Sequence, residues 1–130
     1  MDRAGRTPLH YAAMDDDASE TERLLREGVA ADAKDGQGFT PLHLAAQQYS
    51  VSSARALLRQ GATIDLENSF GNTPLFVAVF NSNGRGDMIT LLRSHGADPL
   101  HPNFSGQTPA GLARLIGNYD VAQYFVDVPE

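Results

Sequence analysis

His10 and His43 stand at matched places in Thr7-Pro8-Leu9-His10 and Thr40-Pro41-Leu42-His43, and a pair of imidazoles is a common beginning of a zinc site or a general acid–base couple. Asp15-Asp16-Asp17 puts three carboxylates side by side, the raw material of a calcium site. Neither set carries the rest of its chemistry. The acidic run lacks the alternate spacing, central glycine and distal glutamate of a calcium-binding loop, so it reads as a solvated, charged loop. The only lysine, Lys34, follows an alanine, which leaves no glycine-rich loop to cradle phosphate, and no Gly-x-Ser-x-Gly elbow occurs. The absence of cysteine excludes disulfides, thiolate nucleophiles and cysteine-ligated metals. No constellation reads as catalytic, and neither a metal nor a cofactor is expected.

The elements that carry these residues repeat. Thr7-Pro8, Thr40-Pro41, Thr73-Pro74 and Thr108-Pro109 are separated by 33, 33 and 35 residues. Leu24-Leu25 before Gly28, Leu57-Leu58 before Gly61 and Leu91-Leu92 before Gly96 keep the same beat. Threonine can cap a helix by accepting from a free N–H of the first turn, and proline fits the first helical position, so each Thr-Pro opens a helix. Leu9, Ala12 and Ala13, and likewise Leu42, Ala45 and Ala46, line one face of a short inner helix whose alanines admit a close neighbour. The Leu-Leu pairs anchor a second helix, and the glycines supply the left-handed residue that ends it. Asp2-Arg3-Ala4-Gly5, Asp35-Gly36-Gln37-Gly38, Asn68-Ser69-Phe70-Gly71 and Asn103-Phe104-Ser105-Gly106 have the Asx and Gly of a type I turn. Such a unit cannot bury its apolar face alone, so units must stack in a one-dimensional array. Matched positions then lie roughly 8–10 Å apart, whereas two ligands of one zinc must each come within about 2.1 Å of it. His10 and His43 therefore read as structural; His95 and His101, near the third helix end, read as partners for terminal carbonyls.

The chain has 130 residues, 42% hydrophobic and 20% charged, ordinary values for one soluble domain. No apolar run approaches the roughly 20 residues of a membrane span, and Met1 to Arg6 carries no secretory stretch, so a cytoplasmic protein without membrane contact is expected. Net charge is −6 with no basic cluster, which argues against nucleic acid and favours a basic partner at long range.

Asp-x-x-Gly-x-Thr-Pro-Leu-His-x-Ala-Ala, present as Asp2 to Ala13 and Asp35 to Ala46, resembles the ankyrin repeat, and the resemblance covers essentially the whole chain. It implies an all-α solenoid, a single domain over residues 1–130. Four helix–turn–helix units, about 2–34, 35–67, 68–102 and 103–130, would carry protruding β-turn or hairpin fingers at right angles to the helices and a concave, protein-binding face. It also implies that each histidine ties its own Thr-Pro turn to the next. Three departures stand out. Ser19-Glu20-Thr21-Glu22 gives the first unit a polar outer face. Ala110-Gly111 replaces Leu-His in the fourth, whose second helix is expected over Asp120 to Val126. Both read as caps, which favours a complete protein over a slice of a longer array, although Met1 abutting Asp2 leaves no upstream finger and keeps the fragment as an alternative. Asn81 to Asp87 holds the two extra residues of the third unit and reads as a tolerated surface loop; its Arg85-Gly86-Asp87 tripeptide is too short to be specific.

Carried over from the resemblance, the variable contact positions are Arg3, Arg6, Gln37, Phe39, Ser69, Phe70, Asn72, Phe104, Ser105 and Gln107 in the turns. After the inner helices they are Met14, Asp15, Gln47, Gln48, Tyr49, Phe80 and Asn81. Four of the six phenylalanines fall here, and aromatic residues dominate binding hot spots. Phe39, Phe70 and Phe104 projecting together would form an apolar strip flanked by Asp15, Asp16 and Asp17, suited to a basic protein with an apolar centre. The expected function is a protein-binding module, monomeric when unbound. A narrower alternative is an inhibitor or immunity protein neutralising a basic toxin or enzyme; an enzyme is the least favoured class.

Overall fold

A computed structural model describes residues 2–129; Met1 and Glu130 lie outside it. Each Thr-Pro opens a helix: α1 (Pro8–Met14), α3 (Pro41–Gln48), α5 (Pro74–Phe80) and α7 (Pro109–Leu115). Thr7, Thr40, Thr73 and Thr108 are the N-caps, each side chain accepting from the third helical N–H at 3.5, 3.3, 3.4 and 3.0 Å. A cap of this kind contributes about 1 kcal/mol. The second helices are α2 (Ala18–Arg26), α4 (Val51–Arg59) and α6 (Asp87–Ser94). At their ends the Gly28, Gly61 and Gly96 N–H groups donate to Leu25, Leu58 and Arg93 carbonyls, and Val29, Ala62 and Ala97 reach back to Leu24, Leu57 and Leu92. This double bond pattern needs a left-handed residue, and the three glycines sit at φ 90, 90 and 91°.

The inner helices stack α1 on α3 on α5 on α7, and the outer ones α2 on α4 on α6. The periodic residues become rungs. Leu9, Leu42, Leu75 and Ala110 form one buried inner row, and Leu24, Leu57, Leu92 and Phe125 one buried outer row. The all-α solenoid of paired helices is thus present, and no β-strand occurs among the described residues.

Two expectations are corrected and a third is refined. The fourth outer element is a 3₁₀ helix, Val121–Phe125, and not an α-helix over Asp120 to Val126. A five-residue segment with valine and two aromatics is too short and too weak in helix propensity to propagate regular turns. In the first unit, Thr21 is not part of a polar outer face: it is fully buried and donates to Ser53 Oγ at 3.3 Å across the α2–α4 contact. The 82–87 segment is a surface loop, with Asn83 and Arg85 exposed, and it is held on two sides. The Tyr49 hydroxyl donates to the carbonyls of Ala78 (2.7 Å) and Arg85 (3.3 Å). The Arg85 guanidinium lies over the Tyr49 ring at 4.0 Å. On the other side, Gly84 and Gly86 abut Tyr119 and Tyr124 closely enough that a methyl group would collide with either ring.

Candidate protein-binding groove

The fingers are built from one device used four times. Asp2, Asp35, Asn68 and Asn103 each turn a side-chain oxygen back onto the backbone N–H groups two and four residues on, at 2.9 to 3.1 Å. Each finger is then fastened to the one before: Gly36 N–H donates to Ala4 O (2.6 Å), Ser69 to Gln37 O (2.9 Å) and Phe104 to Phe70 O (3.1 Å). Histidines add a second tie from the inner helices. His10 Nε2 donates to Phe39 O at 2.9 Å and His43 Nε2 to Asn72 O at 2.8 Å, while each Nδ1 accepts from the N–H of its own Thr7 or Thr40. Each ring thus uses one nitrogen as donor and the other as acceptor. Burial pushes the His43 ring down to about 4, against the weaker upward pull of its bond to the Asn72 carbonyl.

In the third unit that histidine is replaced by Phe76, which is buried and makes no such tie. Phe76 lies in the lining of a groove between the fingers and α5. One gap, about 250 Å³, is lined by Phe39, Gln47, Asn68, Phe70, Asn72, Phe76, Val77, Phe80 and Asn81. A second, about 490 Å³, continues from Phe70, Asn72, Phe76 and Phe80 to Asn103, Phe104, Gln107 and Leu112. Phe70, Phe80 and Phe104 are 56, 70 and 70% exposed. The lining holds phenyl rings, aliphatic groups, amides and two serine hydroxyls, with no carboxylate, imidazole, amine or guanidinium.

Of the residues picked out in the sequence, the groove gathers Gln47, Phe39, Phe70, Asn72, Phe80, Asn81, Phe104 and Gln107. Ser69 and Ser105 line its second gap as well, and the remaining positions lie outside it. Arg6 is held by Asp35 (Nε to Oδ2, 3.4 Å) and Gln37 is exposed on the second finger. Met14, Asp15 and Gln48 lie on or beside α1 and α3, away from the groove lining. Tyr49 lends its hydroxyl to the 82–87 segment, and burial raises its phenol well above the ordinary range. The expected row of Phe39, Phe70 and Phe104 is corrected. The three occupy different places in their fingers, and Phe39 turns inward, edge-on to His43 with centroids 5.6 Å apart. Asp15, Asp16 and Asp17 are all exposed, and two of them also accept backbone bonds. Asp17 caps α2 through Glu20 N–H and Asp16 accepts from Ser53 N–H. His101 pairs with Glu67 (2.6 Å) and not with a helix-end carbonyl.

Sequence reasoning missed Phe76, Asn68, Asn103 and Leu112. Phe76 stands in a slot that reads as core, and its only signal was the break in the Leu-His pattern. No group of three or more His, Asp or Glu side chains able to hold a metal occurs among the described residues. No helix among them is long and apolar enough to cross a membrane.

No curated protein matches the chain. A family model of three ankyrin-repeat copies matches residues 1–68, and a single ankyrin-repeat model matches residues 70–104. Ankyrin repeats are protein–protein interaction modules, typically without enzymatic activity. With the matched span exceeding half the chain and the stacked helix pairs described above, this protein belongs to the ankyrin-repeat family.

Proposed function

We propose that the protein binds another protein by receiving an apolar part of it in the groove between fingers two to four and α5. The supporting observation is the set of three largely exposed phenylalanines, Phe70, Phe80 and Phe104, around an uncharged groove in a chain of net charge −6. Such rings bury much area at little entropic cost when a partner covers them. The net charge acts at longer range: it speeds the approach of a basic partner, while selection in the groove itself rests on shape and hydrogen bonding.

The test is a Phe70→Ala/Phe80→Ala double variant. Both side chains are exposed, so the fold should survive, which circular dichroism would verify. Affinity for a partner recovered by affinity capture should fall about 30-fold or more, from roughly 1 kcal/mol or more per hot-spot ring. Unchanged affinity in a folded variant rejects the groove as the contact surface. The narrower inhibitor role would appear in the same titration as one partner with a dissociation constant at or below about 1 nM, an adaptor as several weaker ones.

A further inference from the structure

The groove holds one polar group that the fold leaves without a partner. At each junction the first residue of a finger faces the fifth residue of the finger before it. Asp35 meets Arg6 as an ion pair at 3.4 Å, and Asn103 Nδ2 donates to Asn72 Oδ1 at 2.9 Å. At the middle junction the corresponding pair is Asn68 and Phe39, and a phenyl ring accepts no such bond. Asn68 Nδ2 is buried with no hydrogen-bond partner among the described residues, and the residue as a whole is 4% exposed. Rotating the amide does not help. Its oxygen is fixed by the Phe70 and Asn72 N–H groups at 2.9 and 3.1 Å, which forces the NH₂ to the other side. Aspartate serves the same turn in the first two fingers without carrying a donor. Asparagine at position 68 thus adds a donor that the turn does not need, and Asn68 lines the gap beneath Phe70 and Phe80. Buried donors left unmade are rare in native proteins and call for an acceptor.

We infer that the gap between fingers two and three, where the unpartnered Asn68 amide meets the walls of Phe39, Phe70 and Phe80, seats one apolar side chain of an extended, uncharged partner segment and bonds that segment's backbone carbonyl. The inference rests on the protein-binding reading above. Three features select this occupant. At about 250 Å³ the gap itself is of a size to hold one side chain. The lining offers no charge to neutralise an ionic group. The gap runs on through Phe70, Asn72, Phe76 and Phe80 into the second one, so the path suits a chain that continues along the repeats.

The experiment selects a random linear peptide library, displayed on phage, against the immobilised full chain, and titrates the strongest synthetic peptide by calorimetry into four variants. Asn68→Asp keeps the turn's acceptor and removes the donor. Phe39→Asn supplies an internal partner by rebuilding the Asn103–Asn72 pairing, and Phe39→Leu keeps an apolar wall without one. Phe70→Ala/Phe80→Ala removes the outer walls. The expected result is a peptide with an uncharged apolar centre that loses about tenfold in affinity on Asn68→Asp and on Phe39→Asn. Phe39→Leu should stay within about threefold of the parent. The Asn68 side-chain amide resonances should shift on binding. Binding that is lost in the double phenylalanine variant but unchanged in Asn68→Asp and Phe39→Asn overturns the role of Asn68 and leaves the groove standing. Binding indifferent to Phe70 and Phe80, or no enriched peptide, overturns both. Amide protons of Asn68 that contact a long-lived water in the complex also overturn the inference, because the donor is then already satisfied.

Discussion

The first two units and the last two use the same turns and caps but hold their fingers differently. Fingers two and three are each tied from below by a histidine, at 2.9 and 2.8 Å; finger four is reached by none, because Phe76 stands in the histidine's place. Finger four relies instead on the Phe104 N–H bond to Phe70 O and on the Asn103–Asn72 amide pair. The replacement removes one inter-unit bond and adds phenyl surface to the floor of the groove. The largest exposed apolar groups of the concave side, Phe70, Phe80 and Phe104, all belong to that same half. Histidines of the first two units tie the fingers that follow them, whereas the third unit has exposed phenyl surface beside a missing tie, a division that stacked repeats permit because each unit answers mainly to its neighbours.

Two glycines break this comparison most sharply. Gly38 and Gly106 occupy the same finger position at φ 79 and 81°. A methyl group on Gly38 would meet the Asn68 and Ser69 backbone at 2.9 to 3.1 Å, whereas nothing lies within 4 Å of one on Gly106. Gly106→Ala should cost about 1 kcal/mol for the left-handed backbone alone. Gly38→Ala should cost roughly 2–5 kcal/mol, since overpacking against an immovable neighbouring finger adds to the same strain. Urea denaturation midpoints of the two variants check this. Equal losses would mean that finger two is no more closely engaged than finger four.

The His43 tie should also make the N-terminal half sensitive to acid. Its folded value, about 4, lies below the ordinary 6.5, so the unfolded chain binds the proton more readily. Stability from this group is therefore full above about pH 6.5 and falls as pH drops towards 4, by roughly 3 kcal/mol at most. Protonation would also set an Nδ1–H against the Thr40 N–H that it now accepts from. Denaturation midpoints measured from pH 7.5 to 4.5 should decline in the parent, and the decline should be shallower in His43→Gln. A parallel pH dependence in the two proteins would remove His43 as the cause.

Much of this architecture is legible in the residues, and the illegible part has a common physical origin. Thr7, Thr40, Thr73 and Thr108, the Asx turns and the glycines at helix ends act on backbone groups within a few residues, so their types and spacing carry the message. Phe70, Phe80 and Phe104 were found because finger and inner-helix positions can be aligned by period. Tyr49 was misread, and the spare donor of Asn68 was missed beside its correctly read turn, because what matters about them is the residue 29 positions away: Phe39 offers Asn68 nothing, and Ala78 takes the Tyr49 hydroxyl. The 3₁₀ turn at Val121–Phe125 was missed because Phe125 keeps the outer rung filled whichever helix type carries it.

The smallest expected effect would sharpen the comparison from the other side. Phe76→His places an imidazole where Thr73 already caps α5 and where Gln107 O occupies the position that Phe39 O and Asn72 O hold for His10 and His43. The new ring can repeat the bonds of His43, while the buried phenyl contact is lost. These changes oppose each other, so stability should stay within about 1 kcal/mol of the parent. The difference should appear locally: the Asn103 N–H, which donates to Gln107 O at 2.8 Å, should exchange more slowly with deuterium as finger four gains its tie. Peptide binding should weaken in the same variant, because an imidazole replaces a phenyl ring in the groove floor. Slower exchange together with undiminished binding would show that the missing tie and the apolar floor are independent features, and that the C-terminal half did not lose its histidine for the sake of contact.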